Sequence, residues 1–477
     1  MARVLARVVR ATRVYRQSIK LVKELVSAAK LRALLKIAYF THQYFPLHVG
    51  GTEVYTHDLA ARASAAGHAA RVITHVETPS LDVADYRAVH TQHDGVPLVE
   101  LHHNLSRAAH PARAEFDNCE VAQLLKHELE ADKPDLVHVV HAMKLSGAAL
   151  SLCFDLKIPV VLTLADYWFI CPRHTLIRWN EKLCNGPAHD LDCATCLNRL
   201  HGFAPGAEFF PAGWLRLGSR AGARIFGKQQ TRFWRDLEAI RNRQTYLKRI
   251  VEQADRVIAL SDFQKQMFVT NGFSADKIHV LHHGLDVEGL RPATGQQRPS
   301  VKIIYVGSLV YHKGPHILLQ ALARNPDLRV SLDLYGDATS TDSYVDSLKQ
   351  LAAADQRVRL MGTFAPSEMG QVLESADALA MPALWYENEP LVVKAARYVG
   401  LPVLASEIGS LSDSMRKGEH GRLLTPGDVN AWAEALKSFR PGVLPPDLSV
   451  KTIDDNAREL FAIYEEIYSN KCAAQNI

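Results

Sequence analysis

From Lys36 onward, short β-branched runs alternate with helix-length segments, and that rhythm limits the fold more than any other feature. Strands are expected at Ile37–Phe40, Arg71–Thr74, Leu98–Leu101, Leu136–Val140, Val160–Leu164 and Val257–Leu260. After a polar stretch from Asp286 to Ser300 the rhythm restarts at Val301–Val306. It continues through Leu332–Tyr335, Val358–Met361, Ala378–Met381 and Pro402–Ala405. Strands bounded by Gly or Pro and separated by helices pack as parallel sheets covered on both faces. Two such series imply an α/β chain of two Rossmann-like domains, residues 36–285 and 301–445, joined by a linker at 286–300. The segment 446–477 carries a last helix that could cross back onto the first domain.

Composition excludes several classes. At 47% hydrophobic and 22% charged residues the chain is ordinary globular protein. It has no apolar run of eighteen residues, so no membrane-spanning helix is expected. Residues 1–36 hold ten basic side chains and one acid, which turns the net +4 into −5 over the rest. A nucleic-acid binder would spread its charge differently. The basic residues at 3, 7, 10, 13, 16, 20 and 23 form one stripe of an amphipathic extension spanning 1–35. Such a stripe suits an anionic membrane surface, and a solvated helix or tail is the plain alternative. The first residues lack a clean apolar run and are not read as a signal peptide. A basic and aromatic insertion is expected at 203–249.

Three turns could carry chemistry. Pro46-Leu-His-Val-Gly-Gly-Thr-Glu53 joins a strand to a helix, where glycine lets backbone approach a ligand and free N–H groups favour an anion. Val306-Gly-Ser-Leu-Val-Tyr-His-Lys-Gly-Pro315 repeats that geometry and places Lys313 near a helix start. Trp385-Tyr-Glu-Asn-Glu-Pro-Leu-Val-Val-Lys-Ala-Ala396 sets carboxylates at a strand mouth. Each has a purely structural reading when taken alone.

In this order and spacing the three resemble retaining GT-B glycosyltransferases of family 4. Ala66-Gly67-His68, Asp135-Leu-Val-His138, Asp166-Tyr-Trp-Phe-Ile-Cys-Pro172, His283-Gly284 and Gly421 add to the match. The resemblance implies two domains facing each other across a cleft, no organic cofactor, and a nucleotide-sugar donor. The donor diphosphate would meet Lys313, the backbone at Gly307 and Ser308, and the helix opening at Pro390, Leu391 and Val392. Gly50 and Gly51 would close from the other side. Glu387, beside Asn388, matches the first glutamate of the family's Glu-(seven residues)-Glu motif. His141 is the candidate cleft histidine, His138 the alternative, and Asp166 completes the implied catalytic set with Lys313 and Glu387. The implied activity is sugar transfer with retention to a glycan or lipid-linked acceptor, at the cytoplasmic side or the inner membrane face.

Three positions depart from the pattern. Ala395 stands where the second glutamate would receive the ribose hydroxyls, Ser308 where many members carry arginine, and Ala165 where many carry histidine. The alternative reading is therefore a catalytically impaired GT-B-like binding or scaffold protein. Cys171, Cys184, Cys193 and Cys196 end in a C-x-x-C pair that suits a structural zinc site. An iron–sulfur site, two disulfides or reduced thiols are the rival readings.

Overall fold

The computed structural model describes residues 34–108, 110–189, 192–201, 232–295, 298–415 and 420–475. The basic stripe from residue 3 to residue 23 and much of 203–249 lie outside them. Within the second segment, a helix runs from Arg232 to Gln253.

The chain is mixed α/β with two Rossmann-like sheets. The first has eight strands in the order β3-β4-β2-β1-β5-β6-β7-β8. They are β1 (Lys36–Thr41), β2 (Ala69–Glu77), β3 (Arg87–His93), β4 (Val96–His103), β5 (Leu136–Val139), β6 (Val160–Leu164), β7 (Arg256–Ala259) and β8 (Ile278–Val280). The second orders β11-β10-β9-β12-β13-β14, from β9 (Val301–Val306), β10 (Val330–Tyr335), β11 (Val358–Gly362), β12 (Ala378–Met381), β13 (Val403–Ser406) and β14 (Gly421–Leu424). Central strands such as β6 and β12 are buried along their whole length, as runs covered on both faces must be.

One edge departs from the parallel pattern: β3 runs antiparallel to β4. Its sequence, RAVHTQH, has no apolar run because none of its residues is fully buried. Hydrophobic periodicity therefore misses it, and misses the very short β8 and β14.

Two helices, α1 (Gly51–Ala65) and α2 (Ser146–Asp155), follow β1 and β5. In the second domain α3 (Pro315–Ala323) follows β9 and α4 (Leu391–Val399) follows β12. The last helix, α5 (Ile453–Gln475), packs on the first domain rather than the second. Its Leu460, Phe461, Tyr464 and Ile467 share a core with Tyr39, Tyr55 and Leu59. Each such buried side chain contributes roughly 1.5–3 kcal/mol. Asn456, fully buried, accepts from Tyr55 Oη at 2.7 Å and donates to the His282 carbonyl at 2.7 Å.

His138 belongs to this packing. Its ring lies between Tyr464 Oη at 2.6 Å and Thr163 Oγ1 at 2.8 Å. Burial holds His138 and His283 down to about 3, against 6.5 for an unperturbed ring. Below pH 6.5 the unfolded chain gains protons that these native rings refuse. Their contribution is full above 6.5 and is lost as pH falls towards 3. Each ring should cost about 2 kcal/mol near pH 5. Urea midpoints measured near pH 7.5 and near pH 5 should fall clearly; a flat profile would contradict the burial of neutral rings.

Candidate active site

The loop from β9 to α3 forces a tight approach. Gly314 opens α3 in the left-handed conformation, and a Cβ there would stand 2.0 Å from the Pro382 carbonyl. Only glycine fits. This fixes Lys313, in the last turn before α3, against the segment that follows β12. Lys313 Nζ donates to Glu387 Oε1 at 2.7 Å, and Trp385 Nε1 donates to the same oxygen at 2.7 Å. The ammonium also sits 4.8 Å from the centroid of the Trp385 ring. Glu387 is only 3% exposed. A buried carboxylate thus shares one oxygen between a cation and an indole. Burial holds the neighbouring His312 ring down to about 3.

Beyond Glu387 the chain enters α4 through Pro390, whose carbonyl accepts from Val393 and Lys394. The first amides of a helix lack intrahelical partners, so Leu391 and Val392 present N–H groups at the cleft end. Asn388 Nδ2 donates across the cleft to the Ala165 carbonyl at 2.5 Å. The Gly307 N–H donates to the Tyr335 carbonyl at 3.0 Å, while Ser308 is exposed and its carbonyl accepts from Tyr305 Oη. Ala395 is fully buried.

Glu389 and Lys394, neighbours that could have replaced a carboxylate at 395, are committed elsewhere. Glu389 accepts from His282 Nδ1 at 2.9 Å, from the His283 amide at 2.6 Å and from Lys394 Nζ at 2.7 Å. Burial alone would raise its pKa, but His282 and Lys394 hold the carboxyl below its usual range. Burial in turn lowers Lys394 against the pull of Glu389.

From the first domain, Gly50 and Gly51 stand opposite α4. A Cβ on Gly51 would lie 4.0 Å from Leu391 Cδ1, and one on Gly50 only 2.6 Å from Glu53 Oε2. His141 emerges just past β5. Its Nδ1 accepts from the Met143 amide at 3.1 Å, so Nε2 carries the proton and meets Asp166 Oδ2 at 3.0 Å. Asp166 Oδ1 accepts from the Trp168 amide at 2.7 Å. Burial raises the Asp166 pKa, but His141, His174 and the Trp168 amide together bring it below its usual value. The His42 ring lies 4.1 Å from that of His141.

Sequence reasoning assigned no role to His42, Lys144 or Trp385. Lys144 and Ser146 adopt φ of 68° and 69°, a strained conformation for residues with a side chain. No sequence pattern marks this.

The cysteine segment reaches over to the donor side: Tyr311 Oη donates to Glu181 and Tyr386 Oη to Asn185. Cys171, Cys184, Cys193 and Cys196 are free of disulfides. Among the described residues no three His, Cys, Asp or Glu side chains are grouped to hold a metal ion. Burial pushes the Cys171 thiol up to about 11 and the Cys193 thiol up to about 12. No described helix is long and apolar enough to cross a membrane.

With this geometry in hand, comparison with known proteins is informative. Residues 286–440 match the model for glycosyl transferases group 1, and 50–189 match a glycosyl transferase 4-like domain. Residues 206–288 match a further model, glycosyltransferase family 4. The chain is 32% identical over 199 residues to a D-inositol 3-phosphate glycosyltransferase of Mycobacterium marinum, covering 39% of this chain and 42% of that protein. A Corynebacterium glutamicum protein of the same name is 30% identical over 210 residues, 40% of this chain and 50% of its own. The chain thus spans half or less of the length of these relatives.

Among solved structures, a glycosyltransferase from Rickettsia africae superposes with a TM-score of 0.57 at 14% identity, covering 91% of this chain and 99% of its own. A sucrose-phosphate synthase from Thermosynechococcus elongatus gives 0.56 at 16%, covering 92% and 98%. The Anabaena protein HepE, solved with UDP and glucose, gives 0.51 at 18%, covering 92% and 99%. At these identities the likeness speaks for the fold. The chain therefore joins a glycosyl transferase 4-like domain to a group 1 glycosyltransferase domain in a GT-B fold.

Proposed function

We propose that this protein transfers a sugar, with retention, from a nucleotide-sugar to a glycan or lipid-linked acceptor. The observation that carries the reading is the Lys313–Glu387 pair, 2.7 Å apart, at the mouth of α4 and within the group 1 domain. The donor diphosphate draws Lys313 off Glu387 and takes the free amides of Leu391 and Val392. Charge developing on the departing phosphate is then met by donors already in place. Glu387, released, accepts a hydroxyl of the donor sugar. His141, its tautomer set by Asp166 and the Met143 amide, faces the reacting centre from the other domain. Placement and leaving-group stabilisation carry the rate, with no protein nucleophile required. Retention and the acceptor class rest on the resemblance set out above. The relatives named as D-inositol 3-phosphate glycosyltransferases support transfer to a hydroxyl of a small or conjugated polyol. The basic extension suits an acceptor held at an anionic membrane surface.

A second reading, a donor-binding subunit without turnover, is favoured by Ala395 together with the commitment of Glu389. Incubation with a panel of nucleotide-sugars, read by nucleoside diphosphate release, separates the two: release from one donor supports the enzyme, and binding without release supports the subunit. Ala395→Glu should tighten nucleotide binding about tenfold or more, by restoring a ribose acceptor. Unchanged affinity in calorimetry would mean that the ribose is held in another way.

A further inference from the structure

Five adjacent parallel strands of the first sheet, β4, β2, β1, β5 and β6, end on the cleft side. Each delivers a polar side chain near or just past its end: His103, His75, His42, His141 and Asp166. The glycine turn adds Glu53 and the strained loop after β5 adds Lys144. Within this row Glu53 is 2% exposed and its Oε1 has no hydrogen-bond partner. His42 is 8% exposed, and its Nδ1 is likewise without one. His42 Nε2 and Glu53 Oε1 lie 3.8 Å apart, too far to bond each other. An oxygen about 2.8 Å from each closes that triangle. Buried polar atoms left unpaired are costly, and Glu53 Oε1 is such an atom, facing the Nε2 edge of the His42 ring across that gap; the unpaired Nδ1 lies on the ring's other edge.

Resting on the glycosyltransferase reading, we propose that Glu53 and His42 form an acceptor subsite that takes an uncharged, hydroxyl-bearing group. Glu53 accepts the hydroxyl proton, and the imidazole binds the same oxygen from its other side. Charge decides between a neutral and a phosphorylated acceptor. Burial keeps the His42, His75 and His103 rings neutral. Among the described residues acting on this row, Lys144 is the fixed cation, and it faces Glu53 and Glu77, with Asp166 beyond. A phosphate there would meet more negative than positive charge. A sugar or polyol hydroxyl meets what it needs, carboxylate acceptors and rings that both donate and accept.

The test uses the full chain with methyl α-D-glucopyranoside and myo-inositol as neutral probes and inositol 3-phosphate as the charged one. Saturation-transfer NMR reads the probes with UDP, GDP or ADP present, and calorimetry reads the nucleotides alone. At least one neutral probe should contact the wild-type protein. Its affinity should fall about tenfold or more in Glu53→Gln and in His42→Phe, while nucleotide affinity stays within about twofold. His42→Phe keeps the ring contact with His141, so it tests the site even where Glu53→Gln disturbs the fold. The proposal is overturned if neutral probes bind the variants as well as the wild type, if only the phosphorylated probe binds, or if no neutral probe binds. Absence of nucleotide binding in the wild type, with polyol contact intact, would count against the donor reading instead.

Discussion

Glu389→Ala should destabilise the protein by about 3–5 kcal/mol, the usual cost of stripping one partner from a buried ion pair. Glu389 and Lys394 side chains are each 7% exposed, and three donors converge on the carboxylate. Without it, Lys394 keeps only the His283 carbonyl. The His282–Gly284 segment loses its hold on α4 at the same stroke. That segment is also where α5 docks, since Asn456 binds the His282 carbonyl and a Cβ on Gly284 would stand 2.4 Å from Ile453 Cα. The junction therefore ties the end of the first domain, the donor-side helix and the returning helix together. Urea unfolding checks the size of the effect. The double variant Glu389→Ala/Lys394→Met should recover most of the loss, because no charge is then left buried alone. A single variant within about 1 kcal/mol of wild type would show that the junction is not what couples the domains.

Lys313→Ala should weaken nucleotide-sugar binding by about 100-fold or more. A partly buried ammonium on a diphosphate is worth about 3 kcal/mol, within the range for charge-assisted bonds. Arginine is no equivalent: its fork is longer and planar, and the space between Glu387 and the Trp385 face admits a point charge. Lys313→Arg should recover less than a tenth of the lost affinity. Glu387 remains held by Trp385 Nε1 in both variants, but only Lys313→Arg keeps a cation beside its buried carboxylate, so Lys313→Arg should lose affinity with far less shift in thermal unfolding. An equal loss of both would make Lys313 a structural residue.

The parallel strands were legible because short, wholly buried apolar runs such as VVLTL and ALAM, set between helical segments, have only one comfortable setting. The edge strand RAVHTQH was not, because an exposed edge leaves no apolar signature. The site was legible where glycine marks it. Gly314 is demanded by a left-handed turn that brings it against the Pro382 carbonyl, a close approach that the sequence announces through its Lys-Gly-Pro turn. What stayed hidden depends on partners far along the chain. Glu389 lies two residues from Glu387 in sequence, yet one is bound to Lys394 and the histidine pair and the other to Lys313. His138 and His141 are three residues apart, yet one packs under Tyr464 and the other meets Asp166. The unpaired atoms of His42 and Glu53 follow from a packing arrangement that neither motif encodes.

The most direct test of the central claim is a calorimetric titration of nucleotide-sugars, and of their free nucleotides, into the wild-type protein and Lys313→Ala. Micromolar binding of one donor is expected, weakened about 100-fold or more in the variant. No binding across the panel, or equal affinity in the wild type and Lys313→Ala, would contradict a donor site built on Lys313.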